Sequence, residues 1–396
     1  MIVSPFVVLM LLYFFANFVS LVFAVNDDGM FLEGKFFQLS SETLICSFAL
    51  QVFFLLLLWL VYRLFLDRGV SFHRELGRAY GVFLFWLQLA FLTFNQISGV
   101  NVAGVDSQGG GGVSYLFIFL QPDILFILIG LGLKSNRLFW LNCIVFLLSM
   151  LLRGWMGGVF LVLVMLMCRG YPIYISLRML SKGVCGLLIL FALLPVFIEA
   201  KWAMRSGLSV SDFFTSILSM SFESYGEAVK YVMNRFQHVG HVALIIENCN
   251  RLHSSYLNGE FVSYWADGLP QMVVFKAFGL EYIRLNSFLV ADTLGYTDAY
   301  WNTNPGLAGW AAILQEYVVL LLAYVVCLLV VVYSFMQRFA GPRYVMLISC
   351  FSLVYLFHGW IGAFFNLCFY AIMLMFWVRL RFLPRSNKKV LKEAML

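Results

Sequence analysis

The chain has 396 residues, of which 62% are hydrophobic and 12% charged, with a formal net charge of +6. A soluble domain is nearer half apolar and a quarter charged, so this balance excludes an ordinary water-soluble fold and makes lipid the expected solvent. The positive charge does not indicate a nucleic-acid binder either: the basic residues are dispersed among apolar runs and gathered on alternate connections, with no single basic stripe.

In chain order, a window of about 19 residues finds apolar segments near 5–25, 44–66, 80–97, 113–133, 138–152, 155–168, 183–200, 309–334, 344–357 and 361–379. The first lacks the basic start of a secretory signal and is long enough to span, so it reads as a retained helix. The expectation is one all-α polytopic membrane domain of about ten helices. Residues 1–200 hold spans one to seven, 201–308 a large loop, and 309–396 spans eight to ten with a basic tail. Around two turns, Leu152-Arg153-Gly154-Trp155 and His358-Gly359-Trp360, the segments are short. About 14–15 residues cover only ~20–23 Å of a hydrocarbon core near 30 Å, which is the length of a shallow or re-entrant hairpin.

The connections alternate in charge. Arg63, Arg68, Arg74 and Arg78 follow the second segment, Lys134 and Arg137 the fourth, Arg169, Arg178 and Lys182 the sixth, and Arg338 and Arg343 the eighth. Arg379, Arg381, Arg385, Lys388, Lys389 and Lys392 follow the tenth. Opposite them, 26–43 holds Asp27, Asp28, Glu33 and Glu42 with one lysine, and 98–112 holds Asp106 and a glycine run at 109–112. The positive-inside rule then predicts cytoplasmic termini and an external 201–308 loop. Of eight cysteines, all but Cys249 lie in or beside apolar segments, and no CxxC or Cys/His ligand spacing occurs. Neither a disulfide framework nor a structural zinc site is expected.

The 201–308 loop mixes charged residues with aromatic and aliphatic stretches and is too apolar for disorder. Helix-compatible spacing covers 213–220, 223–236 and 242–251, while Gly259, Asp267-Gly268, Pro270 and Gly295 punctuate turns. Short helices lying on or dipping into the outer leaflet are expected.

Several residues carry possible chemistry. Arg153 sits at the outer end of a hydrophobic hairpin, against the charge rule, where a cation is paired, snorkelled or used; its planar fork suits a phosphate. The run Arg235-Phe236-Gln237-His238-Val239-Gly240-His241, followed by Glu247, Arg251 and His253, suits acid–base work beside an anionic leaving group, and lacks metal-ligand spacing. The bland alternative is a solvated, internally paired surface. Arg284 precedes Gly295, and Asp292 and Asp298 are candidate bases or sugar-hydroxyl acceptors. Asn302-Thr303-Asn304-Pro305-Gly306 leads to Gly309-Trp310, after which Gln315 and Glu316 meet apolar surroundings, where a carboxylate needs a cavity or partner. Trp155, Tyr256, Trp265, Tyr300 and Trp301 offer flat faces for sugars, although interfacial anchoring is the default for such residues.

This layout resembles the bacterial O-antigen polymerase (Wzy) and related oligosaccharide repeat-unit polymerases, which also carry a large periplasmic loop in the C-terminal half. The shared motifs are short: Arg153-Gly154 at a mid-chain hairpin, the loop arginines Arg235, Arg251 and Arg284, the stretch from Gly259 to Pro270, and the run from Asn304 to Glu316. An Arg-x10-Gly pattern fits Arg284 and Gly295, whereas Arg235 and Arg251 lack the glycine. The sister ligase family's His-(Asn/Ser/Gln)-x9-Gly pattern begins at His253-Ser254 but meets Tyr264 where glycine is required.

The resemblance implies a GT-C-like fold in a bacterial inner membrane. It implies metal-independent, inverting transfer between undecaprenyl-diphosphate-linked oligosaccharides without a cofactor, alongside a chain-length regulator and a flippase. Arg153, Arg235, Arg251 and Arg284 would then bind diphosphate, and His241, followed by His238, Glu247 and Asp292, would serve as base. Competing readings are another polyprenyl-linked glycosyltransferase using Asp27 and Asp28, an O-antigen ligase, a lipid-glycan transporter, for which broken helices and inverted repeats are not evident, and an acyltransferase centred on His358.

Overall fold

The computed structural model describes residues 2–66, 74–102, 111–155, 157–174, 176–206, 215, 217–218, 221–296, 303 and 305–382. Helices dominate. Those described begin with α1 (Pro5–Asn26), α2 (Ser41–Leu66), α3 (Arg78–Ser98), α4 (Gly111–Leu120), α5 (Pro122–Gly132), α6 (Asn136–Leu152), α7 (Gly157–Gly170) and α8 (Leu177–Ser206). Then follow α9 (Phe222–Phe236), α10 (Val239–Glu247), α11 (Cys249–Leu257), α12 (Leu269–Ala277) and α13 (Leu285–Asp292). The chain closes with α14 (Gly306–Leu314), α15 (Val318–Phe339), α16 (Pro342–Phe351), a π-helical turn over Ser352–Phe357, and α17 (Ile361–Phe382).

Among the described residues, seven helical stretches are long and apolar enough to cross a membrane: Pro5–Asn26, Ser41–Leu66, Arg78–Ser98, Gly111–Gly132, Gly183–Ala203, Gly306–Phe339 and Ile361–Arg379. Their length and composition make the chain an all-α membrane protein. Three shorter apolar helices, Asn136–Leu152, Gly157–Gly170 and Pro342–Phe357, fall where the sequence pattern has its short segments.

Some of these spans are not continuous helices. Gly111–Gly132 is interrupted at Gln121, whose left-handed backbone (φ 44°) sits just before Pro122. Gly306–Phe339 is interrupted at Gln315 (φ 48°), followed by a short 3₁₀ turn. The segment beginning at Pro342 loosens into the π turn before His358. Such breaks free backbone groups that neighbouring helices must satisfy.

Contacts between connections sort the chain into two ends. At one, the strand Ile2–Val3 (β1) pairs antiparallel with Ile173–Tyr174 (β4), Leu76 bridges Leu133, and the Arg74 amide donates to the Ala340 carbonyl at 3.0 Å. At the other, the hairpin of β2 (Gly29–Leu32) and β3 (Lys35–Gln38) packs its Leu32 and Met30 against Gly240 of α10. The Ser47 hydroxyl of α2 donates to the Val239 carbonyl at 2.7 Å. The described part of the 201–308 loop around Val239 and Gly240 therefore stands on the end opposite β1 and β4.

The membrane-depth core holds polar glue as well as apolar packing. Gln88 of α3 donates to Asn142 of α6 at 2.9 Å, and Asn142 donates back to the Gly81 carbonyl at 3.1 Å. Interhelical hydrogen bonds of this kind contribute roughly 0.6 kcal/mol each in lipid. A Cβ at Gly81 would lie 3.1 Å from Leu133 and Leu138, so glycine is what permits the close approach of α3 and α6.

Candidate functional site

Phe236 and the residues just after it turn from α9 into α10 against the first and last thirds of the chain. The Asn17 amide of α1 makes this junction: it donates to the Tyr13 and Phe236 carbonyls at 2.7 and 3.2 Å, and its oxygen accepts from the His238 amide at 2.9 Å. His238 is thereby laid against His358, with ring centroids 4.2 Å apart, and the Tyr13 hydroxyl and His358 Nε2 share a hydrogen bond of 2.7 Å. His241 follows one turn later on α10, with Glu33 of the β-hairpin 4.0 Å away.

These imidazoles are kept neutral. Burial, then the neighbouring histidines, hold His238 well below its ordinary range. Burial, then the charge of Arg235, lowers His241 to about 4. Among the described residues, His238 Nε2, both ring nitrogens of His241, and His358 Nδ1 find no protein hydrogen-bond partner. The cluster is therefore a set of buried ring nitrogens without a protein partner among the described residues, and the Arg235 charge reaches both His241 and His358.

Arg235 itself is exposed and makes no ion pair with a carboxylate among the described residues. It donates to the Tyr231 hydroxyl at 3.1 Å, one turn back on α9, and Lys201 of α8 donates to that same oxygen. Burial works to raise the Tyr231 phenol, but the Arg235 and Lys201 charges outweigh it and the net direction is down. That lowering reports a local positive field. Beside it, Val184, Leu188, Leu190, Phe191 and Leu194 of α8 and Val232 of α9 line an apolar groove of about 420 Å³.

The other nominated residues are drawn elsewhere. Arg153, 2% exposed, caps α6 and is enclosed: it donates to both carboxylate oxygens of Asp123 at 3.0 and 2.9 Å and to the Ser149 carbonyl at 3.2 Å, between the Phe91 and Trp155 rings. Among the described residues no hydrogen bond, ion pair or ring contact joins it to Arg235 or the histidines. Arg251 pairs with Asp292, and Arg284 lies 3.4 Å from Asp267, whose other oxygen accepts from the Gly362 amide at 2.9 Å. Glu247 is exposed, 3.5 Å from the Ser40 amide. His253 donates Nδ1–H to the Ile313 carbonyl at 2.8 Å, leaving Nε2 3.8 Å from Glu316.

Glu316 lies within the apolar Gly306–Phe339 stretch, at its helix break, with its side chain 63% exposed and His253 3.8 Å away. The 242–251 helix is likewise split at Asn248 into α10 and α11. Arg68, Asp106, Asp298, Tyr300, Trp301, Asn302, Asn304, the tail cations beyond Arg381, and most of 213–220 lie outside the described residues.

Sequence reasoning thus brought Arg235, His238 and His241 together and missed Tyr13, Asn17, Lys201 and Tyr231. A polar Asn17 inside an otherwise apolar first span was the available signal. No protein-family model, characterised protein or solved structure matches the chain.

Proposed function

We propose that the chain is a metal-independent glycosyltransferase. It polymerises polyprenyl-diphosphate-linked oligosaccharide repeat units at the membrane face carrying the 201–308 loop, in a bacterial plasma membrane. The observation that carries the reading is Arg235, a cation without a carboxylate partner among the described residues, set between neutral buried histidines and an apolar groove.

In such a transfer the acceptor hydroxyl attacks the anomeric carbon of the donor sugar. The bond from that carbon to the diphosphate oxygen breaks, and the polyprenyl diphosphate departs with the electron pair. Negative charge develops on the leaving group, where a fixed cation in a partly dry site is most effective. Arg235, with Lys201 beside it, supplies that charge, and the groove between α8 and α9 suits the isoprenoid tail.

The proton of the acceptor hydroxyl goes to His241. Its low basicity comes first from burial and second from the Arg235 charge, which is unopposed here. A bound diphosphate offsets that charge and raises the imidazole toward the range useful for a base, and Glu33 steadies the imidazolium that forms. Purified protein incubated with a polyprenyl-diphosphate oligosaccharide should yield a ladder spaced by one repeat unit together with free polyprenyl diphosphate. Recovery of intact substrate by wild-type protein, or transfer unaltered by Arg235→Ala, would refute the reading.

A further inference from the structure

At the opposite end of the bundle, the connections after α2, α5, α7 and α15 enclose a cavity of about 230 Å³ lined by Arg74, Glu75, Lys134, Arg169, Arg343 and Tyr344, among others. Four cations face one carboxylate there, and that carboxylate already lies 3.5 Å from Lys134. Arg169 is partly committed to the fold, since its guanidinium donates to the Gly130, Leu131 and Leu133 carbonyls at 2.9, 3.1 and 2.5 Å and closes the end of α5. Arg343 uses Nε on the Tyr171 carbonyl at 3.0 Å, and among the described residues its two terminal nitrogens have no partner. The two guanidinium groups are close enough to repel.

Arg169 and Arg343, each held on one side by backbone carbonyls, line this open volume together with Lys134 and Arg74, and such a gathering of cations around a cavity suits an anion. We infer that this cavity binds a phosphate group, held by Arg343 and Lys134 with Arg169 and Arg74 supplying field. Its size admits a phosphate ester, and its place among helix ends at one membrane surface is where anionic lipid headgroups are met. It is independent of the glycosyl-transfer reading, since it shares no residue with the Arg235 cluster.

The test uses the full chain in nanodiscs of phosphatidylcholine alone, of phosphatidylcholine with phosphatidylglycerol, and of phosphatidylcholine with inorganic phosphate added, reading retained ligand and thermal midpoint. The variants are Lys134→Gln, Arg343→Gln and their combination. Arg63→Gln, a cation stacked on Trp59 outside the cavity, is the control. The double variant should bind about 25-fold more weakly, each lost cation being worth close to fivefold near a surface. Stabilisation in the phosphatidylglycerol arm identifies a lipid phosphate, and stabilisation in the inorganic phosphate arm a soluble one. Equal binding by wild type and double variant in both arms, or an equal loss in Arg63→Gln, overturns the inference. Should Arg343→Gln fail to fold, Lys134→Gln and Lys134→Glu decide it through graded loss.

Discussion

At the end of the bundle that carries the 201–308 loop, Arg153, Arg251 and Arg284 each face a carboxylate, Asp123, Asp292 and Asp267. At the opposite end Arg74, Lys134, Arg169 and Arg343 surround one cavity with Glu75 as the carboxylate among its lining. Among the arginines whose side chains are described at the first end, Arg235 is the one without a carboxylate partner, as Arg169 and Arg343 are at the second. Position in the chain, or even in the membrane, does not tell which arginine is available for an anion. The count of carboxylates within reach does.

The largest effect should follow from removing the partner of the most enclosed cation. Asp123→Ala leaves the Arg153 guanidinium buried and unpaired, which costs about 3–5 kcal/mol. Unfolding in detergent should show that loss, and Asp123→Leu combined with Arg153→Met should recover most of it. A stable single variant would place Arg153 with the available cations. Next comes Arg235→Ala, which should lower glycosyl transfer about 10²–10³-fold, the range found for removing one donor to a developing negative charge. The melting midpoint should stay unchanged, and Arg235→Lys should recover activity only in part if fork geometry matters.

A smaller effect concerns the neutral histidines. His241 has a folded pKa of about 4, against an ordinary value of 6.5, so the unfolded chain takes up the proton first. Its contribution to stability is complete above about pH 6.5 and declines at about 1.4 kcal/mol per pH unit as the solution is acidified. The decline levels off near pH 4. His238 acts in the same direction. Chemical unfolding across that window should show the slope, and His241→Gln should flatten it by one histidine's share. The smallest effect is expected at Arg63, an exposed cation on Trp59. Arg63→Gln should shift stability by about 0.5 kcal/mol or less, and a larger shift would mean that the basic connections support the fold beyond their cavity.

The apolar segments were legible because each is a run of lipid-compatible residues, and the helices found coincide with them in place. The breaks at Gln121 and Gln315 were not, since each depends on a left-handed backbone that neighbouring helices stabilise. Arg153 could be singled out as a cation needing a partner, and few acids compete for it. Between Glu75 and Glu199 the sequence offers only Asp106 and Asp123. Asp123 was passed over because it lies inside an apolar run. Arg251–Asp292 and Arg284–Asp267 are tertiary pairings that no periodicity encodes. His358 looked like an isolated turn residue, and only the fold brings it to His238 and Tyr13.

The junction of Asn17, His238 and His358 also bears on how the molecule comes into being. Its members come from the first helix, the middle of the chain and a turn near its end, with Tyr13 and His358 separated by 345 positions. Contacts so distant along the chain close late. Through most of synthesis, then, the nascent protein inserts its helices with His238 and Tyr13 lacking their His358 neighbour, and the arrangement is completed only after the ribosome has passed His358. A chain truncated before that turn would be a membrane protein still, but one without its buried imidazole pair.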